Sequence, residues 1–386
     1  TLENLEMKKT LVAIAALAAT GAFAQSSIAI TGVFDAGYQA ISHTDATKKW
    51  SGINNNGTNT SRLDFQGTED LGGGLKASFW GELDINPVRS TTLNQNPASN
   101  GQSFTGTPFT GQQFVAIAGG FGDLKIGQPN SPALDIGGGV MQPFGTALGS
   151  GYSGTWGRLG TEAVSGINNY VGGSTGRIVR HEKTAVYTTP VFNGFKAQVE
   201  YSFQNDKSAN TVSNDNGYQS LAAHYNNGPL NVSALTATAK SGAVAAAGTA
   251  PAAATTAGKL GINSDVKWSM LGGNYTVGAF TGYAGYTTTK TTGVATTDSD
   301  DSKSSNISGK YVMGNVDLLA SYIKRTSNLT APTSGAVESK LTAVGANYNL
   351  SKTSFVYYRY EHLTGLTSVA TNQSQTTNAL GLAVKF

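Results

Sequence analysis

The chain has 386 residues, no cysteine and a formal net charge of +3 at pH 7. Without cysteine there is no disulfide or thiol chemistry, and so small a positive excess argues against nucleic acid as a partner. Forty-nine glycines and many polar residues accompany a negative mean hydropathy, yet 16 tyrosines and 15 phenylalanines recur inside alternating segments. A soluble protein gains nothing from so many exposed aromatic faces. A membrane β-barrel reconciles the two facts, because one face of each strand meets lipid and the other meets water.

The first predicted element is an export signal at residues 7–24, MKKTLVAIAALAATGAFA. Lys8 and Lys9 form its basic end, 11–17 its apolar centre and 22–24 its small-residue cleavage site. A retained anchor helix is the alternative, but this apolar stretch is shorter than the ~20 residues that span a bilayer. We interpret residues 1–6 as an upstream extension or an expression remnant, and 25–386 as one β-barrel domain.

Segments of alternating apolar and polar residues then follow one another, and each is predicted to be a strand. The pair in 60–87 is joined by the turn GTEDLGGG, whose clustered glycines supply the positive φ values of a tight turn. Counting that pair, sixteen strands are predicted, at 27–42, 60–87, 111–120, 124–130, 178–192, 196–204, 217–228, 229–240, 265–278, 279–290, 306–315, 316–326, 339–351, 353–363 and 375–386.

The connections between these strands alternate in length. Short turns follow the even strands and long polar connections follow the odd ones, including a Gly-rich insertion at 131–177 after the fifth strand. Outer-membrane barrels have this asymmetry, with short periplasmic turns and long extracellular loops, and an even number of antiparallel strands. A soluble β-sandwich also has alternating strands, but not usually this regular spacing.

The last strand, 375–386, predicts how the barrel closes. Leu380, Leu382, Val384 and Phe386 share one face, and Lys385 lies on the other. We expect this strand to pair antiparallel with 27–42, which removes the open edge of the sheet. The apolar ladder then faces lipid, with Phe386 in an interfacial aromatic girdle and Lys385 inside the barrel.

Several stretches resemble the general diffusion porins of Gram-negative outer membranes, in the branch typical of β-proteobacteria. They are SIAITGVFDAGY, SRLDFQGTEDLGGGLKASFWGELD, FVAIAGGFGDLKIGQPNSPALD, TAVYTTPVFNGFKAQVEYS and the Phe-terminated last strand. The resemblance implies a sixteen-stranded barrel assembled as a homotrimer in outer-membrane lipid and lipopolysaccharide, with the third loop, 131–177, folded into the pore. It also implies passive diffusion of small hydrophilic solutes and anions, no enzymatic activity, and a terminal Phe386 that is read by the barrel-assembly machinery.

A pore selects by its width and by the charges at its narrowest point. Porins of this kind set basic side chains on the barrel wall opposite acidic groups on the inserted loop. The resemblance assigns Arg62 and Glu82 to the wall and Arg158 and Asp135 to the loop, while strand phase adds three further inward cations. The predicted constriction residues are Arg62, Glu82, Arg158, Asp135, Lys76, Lys125 and Arg180. Gln128 and Val186 stand where relatives often have arginine, so we expect only weak anion selectivity.

Other motifs do not indicate a site. GSGYSG at 149–154 fits a dinucleotide-binding pattern but has no following helix, and the four histidines lack metal-ligand spacing. Asp298, Asp300 and Asp301 could bind calcium, but the full ligand pattern of a calcium loop is absent, and a solvated loop is the simpler interpretation. We therefore predict no cofactor and no metal. A substrate-specific or gated channel, or a surface adhesin built on the same barrel, are the alternative functions.

Overall fold

The computed structural model describes residues 26–44, 46, 49–88, 111–151, 180–181, 183–203, 205–206, 214–215, 217–240, 264–293, 300–329, 335–366 and 373–386. The predicted signal peptide (7–24), residues 1–6, Arg158 and Asp298 lie outside these ranges. Within them, no helix combines the length and the apolar character needed to cross a bilayer.

Almost all of the described chain is β-strand, as the alternation predicts. The strands are β1 (Ser27–His43), β2 (Trp50–Asn55), β3 (Arg62–Gly72), β4 (Leu75–Asp84), β5 (Gln113–Gly119), β6 (Gly122–Gln128), β7 (Thr184–Thr188), β8 (Phe195–Ser202), β9 (Asn205–Asp206), β10 (Asn214–Asp215), β11 (Gly217–Asn227), β12 (Leu230–Lys240), β13 (Ser264–Val277), β14 (Phe280–Gly293), β15 (Asp300–Met313), β16 (Val316–Leu329), β17 (Gly335–Asn349), β18 (Ser354–Leu366) and β19 (Gln373–Lys385). A short helix, α1 (Pro132–Asp135), and a π-helical turn (Ile136–Val140) lie between β6 and β7.

Seventeen of these segments form one closed antiparallel sheet, and β9 and β10 form a separate two-stranded ribbon. β2 and β3 pair with successive parts of β1, so they are two halves of one barrel strand. The barrel therefore has sixteen strands, and each predicted strand corresponds to one of them. β1 pairs with β19 from Val33↔Lys385 to His43↔Gln375, which confirms the predicted closure.

The two faces of the barrel are chemically distinct. Leu380 is 58% exposed and Phe386 is 52% exposed on the outside, whereas Ala383, on the inner face of the same strand, is fully buried. The N–H groups of Gly32 and Phe386 each donate to the other's carbonyl, at 3.0 and 3.2 Å, and the Phe386 ring packs against Phe34. The predicted phase of the last strand is confirmed.

The interruption between β2 and β3 wraps around the carboxylate of Asp35. Asp35 Oδ2 accepts the backbone N–H groups of Thr58 at 2.7 Å and Asn59 at 2.9 Å, and the Thr58 hydroxyl at 2.6 Å. Tyr357 of β18 reaches across Gly381 of β19 and donates its hydroxyl to Asp35 Oδ1 at 2.6 Å. These bonds join strands on both sides of the seam, because β18, β19 and β1 follow one another around the barrel.

The largest differences from the predicted strands occur in three places. Residues 50–55, predicted as loop, form β2, and the described residues of the strand predicted at 178–192 form a strand only at Thr184–Thr188. Asp300 and Asp301, predicted to lie in a solvated loop, belong to β15 and pair with Leu329 and Asn328. Backbone hydrogen bonds between strands can continue beyond the apolar band of the barrel. The alternation of apolar and polar side chains, which the prediction uses, ends where that band ends.

Candidate functional site: the barrel lumen

Residues 131–151, the described part of the predicted pore loop, pack against the inner wall of the barrel. Ser131 begins α1: its hydroxyl accepts the N–H of Leu134 at 3.3 Å, and Pro132 follows at a position where no N–H is needed. The chain then tightens into the π-helical turn Ile136–Val140. The apolar side chains of Ile136, Met141 and Phe144 have at most 4% of their surface exposed.

The wall beneath this segment is apolar, although it faces the inside of the barrel. It lies on strands β11 to β18, and its buried members are Tyr218, Ala222, Leu235, Ala237, Trp268, Met270, Leu319, Ile323, Leu341, Ala343 and Leu363. Each fully buried Ile or Met side chain contributes roughly 1.5–3 kcal/mol relative to exposure. Hydrophobic packing therefore holds the inserted segment on this side of the lumen.

Hydrogen bonds from the wall fix the segment's backbone. Asn274 Nδ2 donates to the carbonyl of Val140 at 3.1 Å, and Asn306 Nδ2 donates to that of Met141 at 2.6 Å. Further along, the N–H of Gly149 donates to Glu361 Oε2 at 2.7 Å. Amide and carboxylate side chains on three strands thus satisfy backbone groups that would otherwise be buried without partners.

Glycines on β13 and β14 leave room for the segment. A Cβ at Gly272 would overlap the Met141 side chain, and a Cβ at Gly285 would overlap both Met141 and Asn306 Oδ1. Gly272 and Gly285 lie directly opposite each other in the sheet. The pair forms a depression in the wall that Met141 fills.

The returning end of the insertion is held by a second group of contacts. Arg180 pairs with Asn130 in an isolated β-bridge. His181, almost fully buried, stacks on Tyr218 with ring centroids 3.4 Å apart. Its Nδ1 lies 3.0 Å from Glu200 Oε1, and the hydroxyl of Ser220 donates to the other oxygen of Glu200 at 3.0 Å. Both ends of the insertion are therefore fixed to the barrel.

The wall opposite the segment is charged. Arg62 Nε donates to Asp64 Oδ2 at 3.1 Å, and the strand register places Asp64 directly opposite Glu82. Arg180 Nη1 lies 3.5 Å from Glu82 Oε1 and donates to Asn130 Oδ1 at 3.2 Å. Three predicted residues, Arg62, Glu82 and Arg180, thus lie together in one group of alternating charges.

Two lysines contribute positive charge to the same side of the lumen. Lys125 Nζ lies 5.0 Å from the centre of the Phe114 ring, and neither Lys125 nor Lys196 forms a salt bridge with a residue that the structure describes. Burial raises the pKa of the Asp135 carboxyl, and the charges of these two lysines oppose that rise.

The remaining predicted residues are placed differently. Lys76 lies opposite Asp70, beside the short turn between β3 and β4, and is exposed. It has the predicted inward phase but is not part of the charged group around Glu82. Arg158 is outside the described residues. Val186, where relatives often have arginine, is buried and lies opposite Lys125.

The prediction omitted two charged residues of this wall. Asp64 lies two residues after Arg62 in β3, and Lys196 lies in β8 with the same inward phase as Glu200. The period of two could have identified both, since residues two apart in a strand share a face.

Comparisons with known proteins agree with this architecture. The sequence model of the family described as Gram-negative porin matches residues 10–366. Outer membrane porin protein 32 of Delftia acidovorans is 31% identical over 233 residues, covering 59% of this chain and 58% of that protein. An outer membrane porin protein of Bordetella pertussis is 32% identical over 253 residues, with 58% of each chain covered. This chain thus spans 58% of the length of these two curated relatives.

Solved structures show the same fold. An anion-selective porin from Comamonas acidovorans superposes with a TM-score of 0.68 at 22% identity, covering 94% of this chain and all of that one. A loop-deletion mutant of OmpT, an outer membrane protein of Vibrio cholerae, gives a TM-score of 0.65 at 15% identity, with 94% of this chain and 99% of that one covered.

Proposed function

The chain belongs to the Gram-negative porin family, and we propose that it forms a water-filled channel through which small hydrophilic solutes and ions diffuse passively. It is located in the outer membrane, as its relatives are. Those relatives are porins and not enzymes, and we propose no catalytic activity. The observation that carries the proposal is the division of the lumen into an apolar half that holds residues 131–151 and a charged half that faces them.

We propose that the constriction lies between the inserted segment and this charged wall. Its basic members are Arg62, Lys125 and Arg180, and its acidic members are Glu82 and Asp135; the structure adds Asp64 and Lys196. Arg62 and Arg180 are paired with carboxylates, whereas Lys125 and Lys196 form no salt bridge within the described residues. This imbalance supports weak anion selectivity, because an unpaired charge acts on passing ions more strongly than a paired one.

Recordings from planar bilayers test the channel and its selectivity separately. The purified protein should give stepwise unitary currents, and in a salt gradient the reversal potential should lie slightly toward that of the anion. A protein that inserts without stepwise current would contradict the channel proposal. A reversal potential toward that of the cation would contradict only the selectivity.

We also propose assembly as a homotrimer through the barrel-assembly machinery. Closures in three equal steps within one insertion event would support the trimer, and a single step would argue for a monomeric channel. The role of Phe386 as an assembly signal remains a prediction. Replacing it with Ala tests that role through the amount of protein reaching the outer membrane.

A further inference from the structure

Two aromatic side chains, Trp80 of β4 and Phe114 of β5, face the lumen from the charged wall. The register places them directly opposite each other, and their neighbours Phe79 and Val115 lie on the outside, 44% and 60% exposed. Both inward rings are partly exposed. Within the described residues, neither ring belongs to the buried apolar clusters, one of which holds residues 131–151. Anchoring of the inserted segment therefore does not account for these two rings.

The exposed part of the Trp80 side chain is ring carbon. Its indole nitrogen is shielded from solvent and has no hydrogen-bond partner among the residues that the structure describes. On the next strand, Gln66 lies directly opposite Trp80, and its amide Nε2 donates to Thr31 Oγ1 at 3.2 Å. The neighbour of Trp80 on that side is thus uncharged, and one of its two polar atoms is already bound within the wall.

Small residues of β5 and β6 leave space beside the Phe114 ring. Gly127 lies directly opposite Phe114 and has a φ of 142°, which favours glycine. A Cβ at Gly127 would overlap the carbonyl oxygen of Gln113. Ala116 is the next inward residue of β5, and it lies opposite Lys125. Because the neighbours of the Phe114 ring on this side are so small, a planar solute has room to lie against it.

Lys125 adds a positive charge at the edge of this aromatic surface. Its Nζ lies 5.0 Å from the centre of the Phe114 ring, and it forms no salt bridge with a residue that the structure describes. Lys125 and Lys196 both act on the carboxyl group of Asp135, so two ammonium groups share one acid. Glu200, the other carboxylate nearby, is fully buried and bound within the wall. The surface beside the rings therefore keeps an excess of positive charge.

From these contacts we propose that Trp80, Phe114 and Lys125 form a site inside the pore that binds small aromatic carboxylates. The ring of the solute packs on the two aromatic side chains, and its carboxylate contacts the Lys125 ammonium group. A sugar would need several free hydrogen-bonding groups around the rings, whereas the flanking residues are Gly127, Ala116 and the already bound Gln66. The inference rests on the proposed diffusion channel and adds a class of solute that the channel favours.

Three probes of similar size test the two parts of the site: benzoate, cyclohexanecarboxylate, which lacks the aromatic ring, and benzamide, which lacks the charge. Saturation-transfer NMR on the full chain in detergent measures their dissociation constants, and block of the chloride current in planar bilayers measures binding inside the pore. Benzoate should bind with a dissociation constant on the order of 10 mM, which is weak enough for passage. The other two probes should bind about threefold more weakly or less.

Matched variants assign the binding to these side chains. Trp80→Leu and Phe114→Leu should each weaken benzoate binding by roughly two- to tenfold and change cyclohexanecarboxylate binding little. Trp80→Phe keeps an aromatic ring and should retain most of the benzoate preference, whereas Lys125→Gln should weaken benzoate but not benzamide. Phe79→Leu, the adjacent outward position, should leave all three constants unchanged. If Trp80→Leu does not fold, as judged by its heat-modifiable gel mobility, Phe114→Leu provides the same test.

Three outcomes would overturn the proposal. The first is equal affinity of the wild type for benzoate and cyclohexanecarboxylate. The second is a double variant, Trp80→Leu/Phe114→Leu, that keeps the wild-type preference for benzoate. The third is an equal loss of both acids in that variant, since the rings would then only shape the pore. A wild-type protein without stepwise current would contradict the proposed function instead, and the NMR titration would still measure the site.

Discussion

Replacing Gly285 with valine should displace the inserted segment from the barrel wall. Gly285 lies on the inner face of β14, and any Cβ there would overlap the Met141 side chain and Asn306 Oδ1. Asn306 is also the donor that binds the carbonyl of Met141 at 2.6 Å. The substitution therefore disrupts a buried apolar contact and a hydrogen bond at the same point of the segment.

The size of the effect follows from these two contacts. Met141 is 1% exposed, and expelling such a side chain costs roughly 2–3 kcal/mol. Loss of the hydrogen bond adds about 1 kcal/mol. A total of about 3–4 kcal/mol changes the ratio of docked to undocked segment by roughly 150- to 1000-fold. Ile136 and Phe144 still pack on the wall, so the barrel remains intact while the segment is loosened.

Single-channel recording in a planar bilayer measures this change. We expect Gly285→Val to raise the unitary conductance or the open-channel current noise, because the segment no longer stays against β13 and β14. Gly282→Val is the matched control on the same strand: Gly282 faces outward, and a Cβ there meets only the Phe280 ring at 3.4 Å. If the Gly285 and Gly282 variants both conduct like the wild type, packing of Met141 does not set the pore width.

Three further substitutions test the charged wall and the seam. Arg62→Glu should move the reversal potential toward that of the cation. Two units of charge at ~10 Å in water change the energy of a passing ion by about 0.8 kcal/mol, which changes the ratio of cations to anions at that point by roughly fourfold for each ion. An unchanged reversal potential would show that Arg62 does not line the constriction. Glu82→Gln should move it toward anions, because Arg180 loses its carboxylate partner, and a shift of the opposite sign would refute this placement. Tyr357→Phe removes the hydroxyl that is bound to buried Asp35 and should destabilise the barrel by roughly 1–3 kcal/mol. The unfolding temperature in detergent should fall while the conductance stays unchanged. An unfolding temperature equal to that of the wild type would show that this hydrogen bond does not stabilise the barrel.

The alternation of apolar and polar residues predicts most strands of this barrel, because one face of each strand must be apolar to contact lipid. The outward apolar side chains of β19, which end at Phe386, have this pattern. The pairing of this strand with β1 follows from the need to close the sheet. The same signal fails at β2, whose sequence WSGINN lacks a clear apolar face. That segment is a strand because its backbone pairs with β1, and backbone pairing leaves little trace in side-chain pattern.

The site is harder to predict because its contacts join distant parts of the chain. Arg180 and Glu82 are 98 positions apart, and nothing in either local sequence specifies that they meet. Strand phase predicted that both point inward, and the same rule applied without exception would have added Asp64 and Lys196. It could not show that Lys76 lies near a short turn, away from this pair, because height in the barrel depends on register.

The apolar half of the lumen explains why some strands in the second half of the chain are apolar on both faces. On β13 the inward Trp268 and Met270 are buried while Leu271 faces lipid, and on β16 the inward Ile323 follows the outward Tyr322. A strand that is apolar on both faces would expose apolar side chains to water in the lumen unless another segment covers its inner face. Here residues 131–151 cover it. Two-sided apolar strands therefore mark where an inserted segment docks. By the same reasoning, we expect solutes to move along the part of the inner wall that this segment leaves uncovered, which includes Arg62, Glu82 and Arg180.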